Sequence, residues 1–562
     1  MASAKTLLHE AARHPVAPMM AALLVYHRVI SGFFAQDDIT FLSRAAGLQP
    51  GDAFRLLSES LAFRIQYAAF GLDPRGYLAV NLGLHLFNTL CVYHLALRLT
   101  RSRGTASAAA VLFGCSSVAF TPLHWATGIV ELLTGALLLV ATVLHLRLRD
   151  RGGTWLWVPA LAAFAAMLSK ETALLWPAAV ALIEWKSDPR GRARSLVPAA
   201  VASVLFVACF FGSGQAARFA DSQAYSRTVA PTSLVANLLT YAGWSVALWN
   251  PIRDQVAAVS YETWPLGAAI AIAALLAVWQ RRRDAAVVVG AGWWLAFLLP
   301  VLPLEHHTNL YYLYVPMAGG AIAVAACGAA LFKERSAAWL RNATPACLAA
   351  YVLVEGWNVH LRETMRRDYL PADRTVRDSE LLSHALPALR AAKLPAGAGV
   401  LFVSPLMRPR FDLMRGAPTR PEDVATRVSY LPLEAAMRGG QTLKLFLPEV
   451  VYLGFARTIP RELESAHSFH YEQRGWLEHW GQGQKALLNQ GRVQLAGGQW
   501  LAAESTFVRV RDLGDTLPAA LVGQAEALAG SDRIQQALAV TLELERRWPR
   551  HATPRGIQRT SP

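Results

Sequence analysis

Two adjacent carboxylates, Asp37 and Asp38, stand where the first long apolar run ends, in Gly32-Phe33-Phe34-Ala35-Gln36-Asp37-Asp38-Ile39-Thr40. An acidic pair at such a boundary is costly to hold unless it is solvated or paired, which makes it the first place to look for chemistry. A carboxylate there can take a proton from an acceptor hydroxyl. Other unusual residues fall in short turns between apolar runs. They are His124 and Trp125 with Glu131 just beyond, Lys170-Glu171, and Glu305-His306-His307 followed by Tyr311, Tyr312 and Tyr314. Lysine and histidine can hold a phosphate that leaves with developing negative charge. Together these residue types would suit transfer of a group from a phosphate-linked donor to a hydroxyl.

Each residue also has a plainer reading. Asp is a preferred helix N-cap, so either aspartate could cap the segment that follows. Lys170 and Glu171 could pair only with each other, as exposed pairs do at little gain. The tyrosines fit a membrane-interface belt. Arg28, within the first apolar run, must face a cavity or pair with an acid. His85 and Asn88 read as hydrogen-bonding residues between helices. The coincidence of acid, lysine and histidines in turns of one side favours the chemical reading. Which aspartate is the base stays open.

The elements that must position these turns are apolar helices. Of 562 residues, 54% are hydrophobic and 17% charged, below the roughly quarter charged residues of a soluble chain. Apolar runs recur at 16–34, 78–99, 105–121, 128–146, 155–169, 172–185, 195–211, 264–280, 285–302, 311–332 and 337–356. They predict a polytopic α-helical membrane protein of about 11 spans. The net charge of +15 raises nucleic-acid binding, but the basic residues form short clusters between apolar runs rather than one stripe, so no nucleic acid is expected. With the N-terminus in the cytoplasm, Arg98/Arg101/Arg103, Arg147/Arg149/Arg151, Lys186/Arg190/Arg192/Arg194, Arg281–Arg283 and Lys333/Arg335 all fall inside. The turns 121–127, 169–172 and 302–310, outside, hold only Lys170 as a Lys or Arg. The first run has no cleavage signal and is expected to be retained. Cys91, Cys115, Cys209, Cys327 and Cys347 lie in apolar runs and read as buried hydrophobes.

Residues 231–250 are long enough to span, but a span there would put Arg281–Arg283 outside. They are expected to form an interfacial or re-entrant helix in a large outer loop, 212–263. The first outer loop, 35–77, carries an amphipathic stretch over Ala53–Phe70, expected as a surface helix. A membrane domain over 1–356 is followed by a small extracytoplasmic α/β domain at 357–483, with a strand in Leu401–Ser404. In 484–551 a helix–loop–helix pattern recurs, with Ala503 and Ala537 34 residues apart. That period predicts two tetratricopeptide-like repeats, packed on the α/β segment. Residues 552–562 read as a disordered tail.

Several motifs point to a family. Asp37-Asp38 after the first span, Phe54-Arg55, the run Gly76–His85, Phe120–Trp125 with Glu131-Leu132-Leu133, Leu168-Ser169-Lys170-Glu171-Thr172 with Pro177, and Tyr312-Leu313-Tyr314-Val315-Pro316 resemble the membrane-spanning glycosyltransferases of the C fold (GT-C). The likeness is greatest to the transmembrane O-mannosyltransferases with C-terminal tetratricopeptide repeats, in a bacterial version. The resemblance implies an enzyme of the cytoplasmic (inner) membrane that transfers a sugar, with inversion, from a polyprenyl-phosphate donor to a protein, glycan or lipid hydroxyl. Asp37 or Asp38 would be the base. Arg55, His124, Lys170, Glu171, His306, His307 and Tyr312 would bind the donor and its phosphate. The repeats would engage a protein or glycan acceptor, outside the cytoplasm. Leu78 stands in place of the family's first histidine, and Leu310-Tyr311 in place of an acidic–basic pair whose phosphate-side role His306 and His307 would take. No cofactor is certain: two aspartates are too few to define a divalent-cation site. The competing expectations are a flippase or transporter of lipid-linked sugar, and a non-catalytic scaffold.

Overall fold

The computed structural model describes residues 14–50, 55–187, 192–213, 226–246, 263–305, 307–334, 338–367, 369–405, 432–471 and 476–549. His306, Phe54, much of the 212–263 loop and the 552–562 tail lie outside them. The chain divides into two compact units, Met1–Met365 with Pro371–Val376, and Arg366–Leu370 with Arg377–Pro562.

In unit 1, helices cover each of the apolar segments. They are α1 (Val16–Tyr26, continued as a 3-10 turn His27–Ser31), α2 (Asp38–Ala45), α3 (Phe63–Phe70), α4 (Pro74–Thr100), α5 (Arg103–Gly114), α6 (Phe120–His124), α7 (Ile129–Leu148) and α8 (Trp157–Ser169). There follow α9 (Trp176–Ser187), α10 (Arg192–Gly212), α11 (Pro231–Trp244), α12 (Trp264–Gln280), α13 (Ala285–Leu298), α14 (Tyr314–Glu334) and α15 (Ala338–Thr364). Crossing a bilayer takes about 20 apolar residues. Among the described residues four helical stretches meet that length and apolarity: Pro74–Thr100, Ala126–Arg151, Arg194–Gly212 and Leu310–Leu331. The pair Arg103–Gly114 and Ser117–His124, bent by 43°, would make a fifth. Val16–Ser31, Gly153–Ser169, Trp264–Gln280 and Ala285–Leu298 are apolar but shorter.

Local sequence sets the helix ends. Asp73 accepts a hydrogen bond from the Arg75 amide at 3.0 Å, with Pro74 at the first helical position, and so starts α4. Arg101, at φ 55°, closes it, and the Ser102 hydroxyl caps α5 through the Thr105 amide. Polar side chains join the helices inside. Asn88 Nδ2 donates to Leu132 O at 2.9 Å and to the Tyr314 hydroxyl at 3.0 Å, and His85 bridges that hydroxyl and Gly114 O. His85 and Asn88 thus have the interhelical role expected of them. α13 and α14 cross backbone to backbone: a Cβ on Gly290 would lie 2.6 Å from Gly319 O. Of the cysteines, Cys91 and Cys115 are buried and Cys327 is half-buried, whereas Cys209 and Cys347 are exposed, contrary to the expectation of burial; all are free thiols.

Two further expectations change in detail. Residues 231–244 form α11, which pairs with α12 as a hairpin so close that a Cβ on Gly267 would meet Leu239 O. The amphipathic stretch opens as a π-helical turn, Leu56–Ala62, before α3. Its Leu61 and Ile65 face outward, and Ser58 and Phe63 turn inward.

Unit 2 holds a four-stranded mixed sheet of β1 (Gly399–Val403), β2 (Val451–Ala456), β3 (His467–Tyr471) and β4 (Leu477–Gly481), ordered β2-β1-β3-β4. β1 runs parallel to β2 and β3, and β3 antiparallel to β4. Two helical hairpins follow, α16 (Gly483–Ala496) with α17 (Trp500–Asp512), then α18 (Pro518–Gly530) with α19 (Ile534–Arg547). Leu401, Val403 and Trp480 share a core with Ala486, Leu487, Val510 and Ala520, so hairpins and sheet fold as one body. Ala503 and Ala537 are both fully buried, and Gly491 and Gly523 leave room for the Phe507 ring.

Candidate functional site

The aspartates part company in the structure. Asp38 is fully buried, and its carboxylate accepts the amides of Ala35 at 2.9 Å, Ala126 at 3.2 Å and Thr127 at 2.7 Å. Burial pushes its pKa up to about 7, against the pull of those three amides. Asp38 therefore bolts the turn that carries Asp37 to the turn Ala126–Gly128 that opens α7. That second turn is tight: a Cβ on Gly128 would lie 2.0 Å from Pro122 O. Asn81 clamps it from the other side, donating to Pro122 O and Trp125 O.

Asp37 precedes α2 but its side chain makes no capping bond, so the capping reading does not account for it. It is half-buried and lies within electrostatic reach of His307. The residue before it, Gln36, is held at φ 47°, a conformation rare for a residue with a Cβ, and its amide donates to Thr375 Oγ1 at 2.9 Å.

Lys170 is buried against three partners from other parts of the chain. Its ammonium pairs with the Glu131 carboxylate on α7. The same ammonium stands 4.5 Å from the centre of the Tyr312 ring and 5.8 Å from that of Tyr311. Burial pulls its pKa below the ordinary lysine value and the Arg55 charge adds to this, while Glu131 opposes it. Arg55, itself at φ 52°, grips Glu171 with two bonds of 3.1 and 3.0 Å and reaches Glu59 at 3.3 Å. Burial of Glu171 opposes its charge, but the Arg55 guanidinium wins and holds the carboxyl below its usual range. Ser58 donates to Ser169 O and docks the π-helical turn on the Lys170 turn.

His307 Nε2 lies 3.3 Å from the Tyr311 hydroxyl. Its pKa falls to about 4, first through burial and then through Lys170 and Arg55, with Asp37 pulling the other way. The imidazole is thus neutral at neutral pH. Its segment is anchored by Asn237 of α11, which donates to Leu302 O and Leu304 O and accepts from Thr308 Oγ1. Glu305 is exposed.

The structure therefore brings Asp37, Arg55, Lys170, Glu171, His307 and Tyr312 into one linked group with Glu131 and Tyr311. It does not bring His124 to them by any bond. His124 stacks on Phe120 at 3.8 Å and meets Glu363 at 3.1 Å, and Glu363 also takes Arg28, which gives that arginine its acid. Beside them, buried Arg362 lies over the Phe120 ring and binds Asp373 at 3.0 and 2.7 Å.

Sequence reasoning passed over Glu363, Arg362 and Asn237, and took Asn81 only as part of the run Gly76–His85. The charges at 362–363 end an otherwise apolar run, which was a signal; Asn237 carried none. Trp125 was noticed only as a neighbour of His124. Its ring meets Tyr311 edge-on at 5.9 Å, and its buried indole N–H has no hydrogen-bond partner among the described residues.

Chemically, the group offers a carboxylate beside a neutral imidazole, and cations whose charges are already matched by carboxylates. An incoming phosphate would have to compete with Glu131 for Lys170. Among the described residues no three His, Cys, Asp or Glu side chains group as metal ligands, and the Asp38 oxygens are occupied by amides. No known protein-family model matches the chain, and no curated protein matches it in sequence.

Proposed function

We propose that unit 1 is a membrane glycosyltransferase of the C-fold type. It transfers a sugar from a polyprenyl-phosphate donor to an acceptor hydroxyl at the outer face of the cytoplasmic membrane. About eleven helices cross or enter the bilayer in this reading, with the N-terminus in the cytoplasm and unit 2 outside. The single observation that carries it is the meeting of Lys170 and His307 at the Tyr311–Tyr312 pair, with Asp37, from a third turn, within electrostatic reach of His307.

Asp37 is the base. It takes the acceptor's proton as the hydroxyl oxygen attacks the sugar's anomeric carbon. The bond from that carbon to the phosphate oxygen breaks on the opposite face, so configuration inverts. The lipid phosphate leaves as an anion towards Lys170, which exchanges Glu131 for it, with Arg55 adding to the positive field. Asp38 positions Asp37 and does not act on the acceptor, because it is fully buried and its oxygens face the backbone amides of the two turns. His124 acts through its contact with Glu363 rather than on the donor. The hairpins of unit 2 present a protein or glycan acceptor, as tetratricopeptide-like repeats do.

The test is transfer by the purified full chain from radiolabelled polyprenyl-phosphate sugars. Asp37→Asn is expected to lower turnover by about 10²–10⁴-fold while donor lipid still binds. Full turnover in that variant would end the proposal. Partial turnover with intact lipid movement across the bilayer would favour a transporter instead.

A further inference from the structure

Asp37 is one of the two central residues of a turn that Asp38 closes. The Asp38 amide donates to Ala35 O at 3.0 Å, and the Asp38 carboxylate accepts the Ala35 amide at 2.9 Å. Both ends of the turn are therefore fixed. The direction of Asp37 then depends on the peptide plane that joins it to Gln36. Gln36 is held at φ 47°, where a residue with a Cβ stays only when its surroundings keep it there. One bond that does so comes from its own side chain, whose amide donates to Thr375 Oγ1 at 2.9 Å.

Thr375 is a firm anchor. It is buried, and Asp373 Oδ1 accepts its amide at 2.9 Å and that of Val376 at 3.2 Å, which starts the helix Arg374–Ala391. The other Asp373 oxygen takes Arg362 Nε and Nη2. Arg362 Nη2 also donates to Thr121 Oγ1 at 3.1 Å, and its guanidinium lies 4.0 Å from the centre of the Phe120 ring. Arg362 and Asp373 are each 1% exposed, so water does not compete for these bonds. Thr375 is thus fastened to α6, which runs into the turn Ala126–Gly128 whose amides hold Asp38. Asp37 stands between two anchors on one body, Asp38 on one side and Gln36 on the other. Residues 371–376 are also where the chain leaves unit 1 for unit 2.

We propose that Gln36 is a positioning residue for Asp37, with Thr375 as its anchor. While the bond is made, the peptide plane is fixed and the Asp37 carboxylate keeps one direction. When the bond is lost, the plane turns and the base is misplaced against the acceptor hydroxyl, which lowers the rate without touching the donor's contacts. This rests on Asp37 as the base, and adds that the base is aimed from the segment by which the chain leaves unit 1.

The experiment measures kcat, donor KM and amide hydrogen exchange on the purified full chain with radiolabelled polyprenyl-phosphate sugar. Thr375→Val keeps the shape of the side chain and removes the hydroxyl. It is expected to lower kcat about tenfold or more, to leave donor KM unchanged, and to speed exchange of the 36–39 amides about fivefold. Thr375→Ser restores the hydroxyl and should restore kcat. Gln36→Gly suits the backbone at φ 47° but has no side-chain amide, so it should match Thr375→Val. Gln36→Gly with Thr375→Val should lose no more than either alone, and Thr375→Val should cost nothing further in Asp37→Asn. Unchanged kcat in Thr375→Val or Gln36→Gly, equal loss in Thr375→Ser, or additive losses in the double variant would overturn the positioning role and leave Asp37 as the base. A wild type that transfers no sugar would refute Asp37 as the base. The joint is then judged by exchange alone, and unchanged exchange at 36–39 in Thr375→Val would overturn it.

Discussion

At the scale of single residues, neighbours in sequence have unlike roles. Asp37 and Asp38 differ by one position, yet one faces a half-open group with His307 and the other fills a nest of amides. Their variants should therefore behave differently. Asp38→Asn keeps one acceptor oxygen and turns an amide group towards backbone N–H donors. It should cost about 1–3 kcal/mol of stability, read by thermal melting, while the folded fraction still transfers sugar. Asp38 also makes stability depend on pH. Its folded pKa of about 7 lies above the unfolded value near 3.9, so the folded state binds the extra proton between them. Its contribution is therefore greatest below about pH 4 and is lost as pH rises towards 7. The difference between wild-type and Asp38→Asn melts, followed from pH 5 to pH 8, should change in that direction. Glu131→Gln tests the exchange at Lys170. Removing one partner of a buried ion pair costs about 3–5 kcal/mol, and the released ammonium should bind donor phosphate more tightly; weaker donor binding in a folded variant would contradict the exchange.

At the scale of elements, the site rests on short turns braced by side chains from other helices. Asn237 shows this best. α11 carries it to the segment 302–308, where its amide satisfies two carbonyls that no helix could reach. Asn237→Ala leaves both carbonyls and the Thr308 hydroxyl without that partner. The expected result is faster amide hydrogen exchange across 302–309 and a weaker response to donor, with the helices of α4 and α7 unchanged. Gly128→Ala should be more severe, because the added Cβ meets the rigid Pro122 carbonyl rather than a movable side chain.

At the scale of the molecule, the two units answer to different physics. Unit 1 ties helices together inside an apolar bundle by hydrogen bonds among His85, Asn88 and Tyr314. Unit 2 closes one core between a sheet and two hairpins. Deleting 484–551 would uncover Leu401, Val403 and Trp480, so the remainder of unit 2 should lose its cooperative melt. Membrane insertion of unit 1 should survive. A truncated unit 2 that melts as sharply as the whole would show that the hairpins are an appendage.

The sequence by itself determined the apolar segments that become helices, a strand expected at 401–404 and found at Gly399–Val403, and the paired helices with Ala503 and Ala537 at matching depths. These follow from periodicity, hydropathy and turn residues, which act over a few neighbours. It also marked Asp37, Lys170 and His307 as unusual where they stand. Only the tertiary structure separated Asp37 from Asp38, turned His124 to Glu363 and matched Lys170 with Glu131. The aspartates are adjacent and equal in type, and what distinguishes them is a set of amides 88 residues away in the chain. Likewise α9, at 12 residues, and the bent α5–α6 pair read as spans in hydropathy, but length and direction are properties of the folded backbone. Partners that meet across the bundle leave no local trace, because the energy that joins them exists only once the helices have packed.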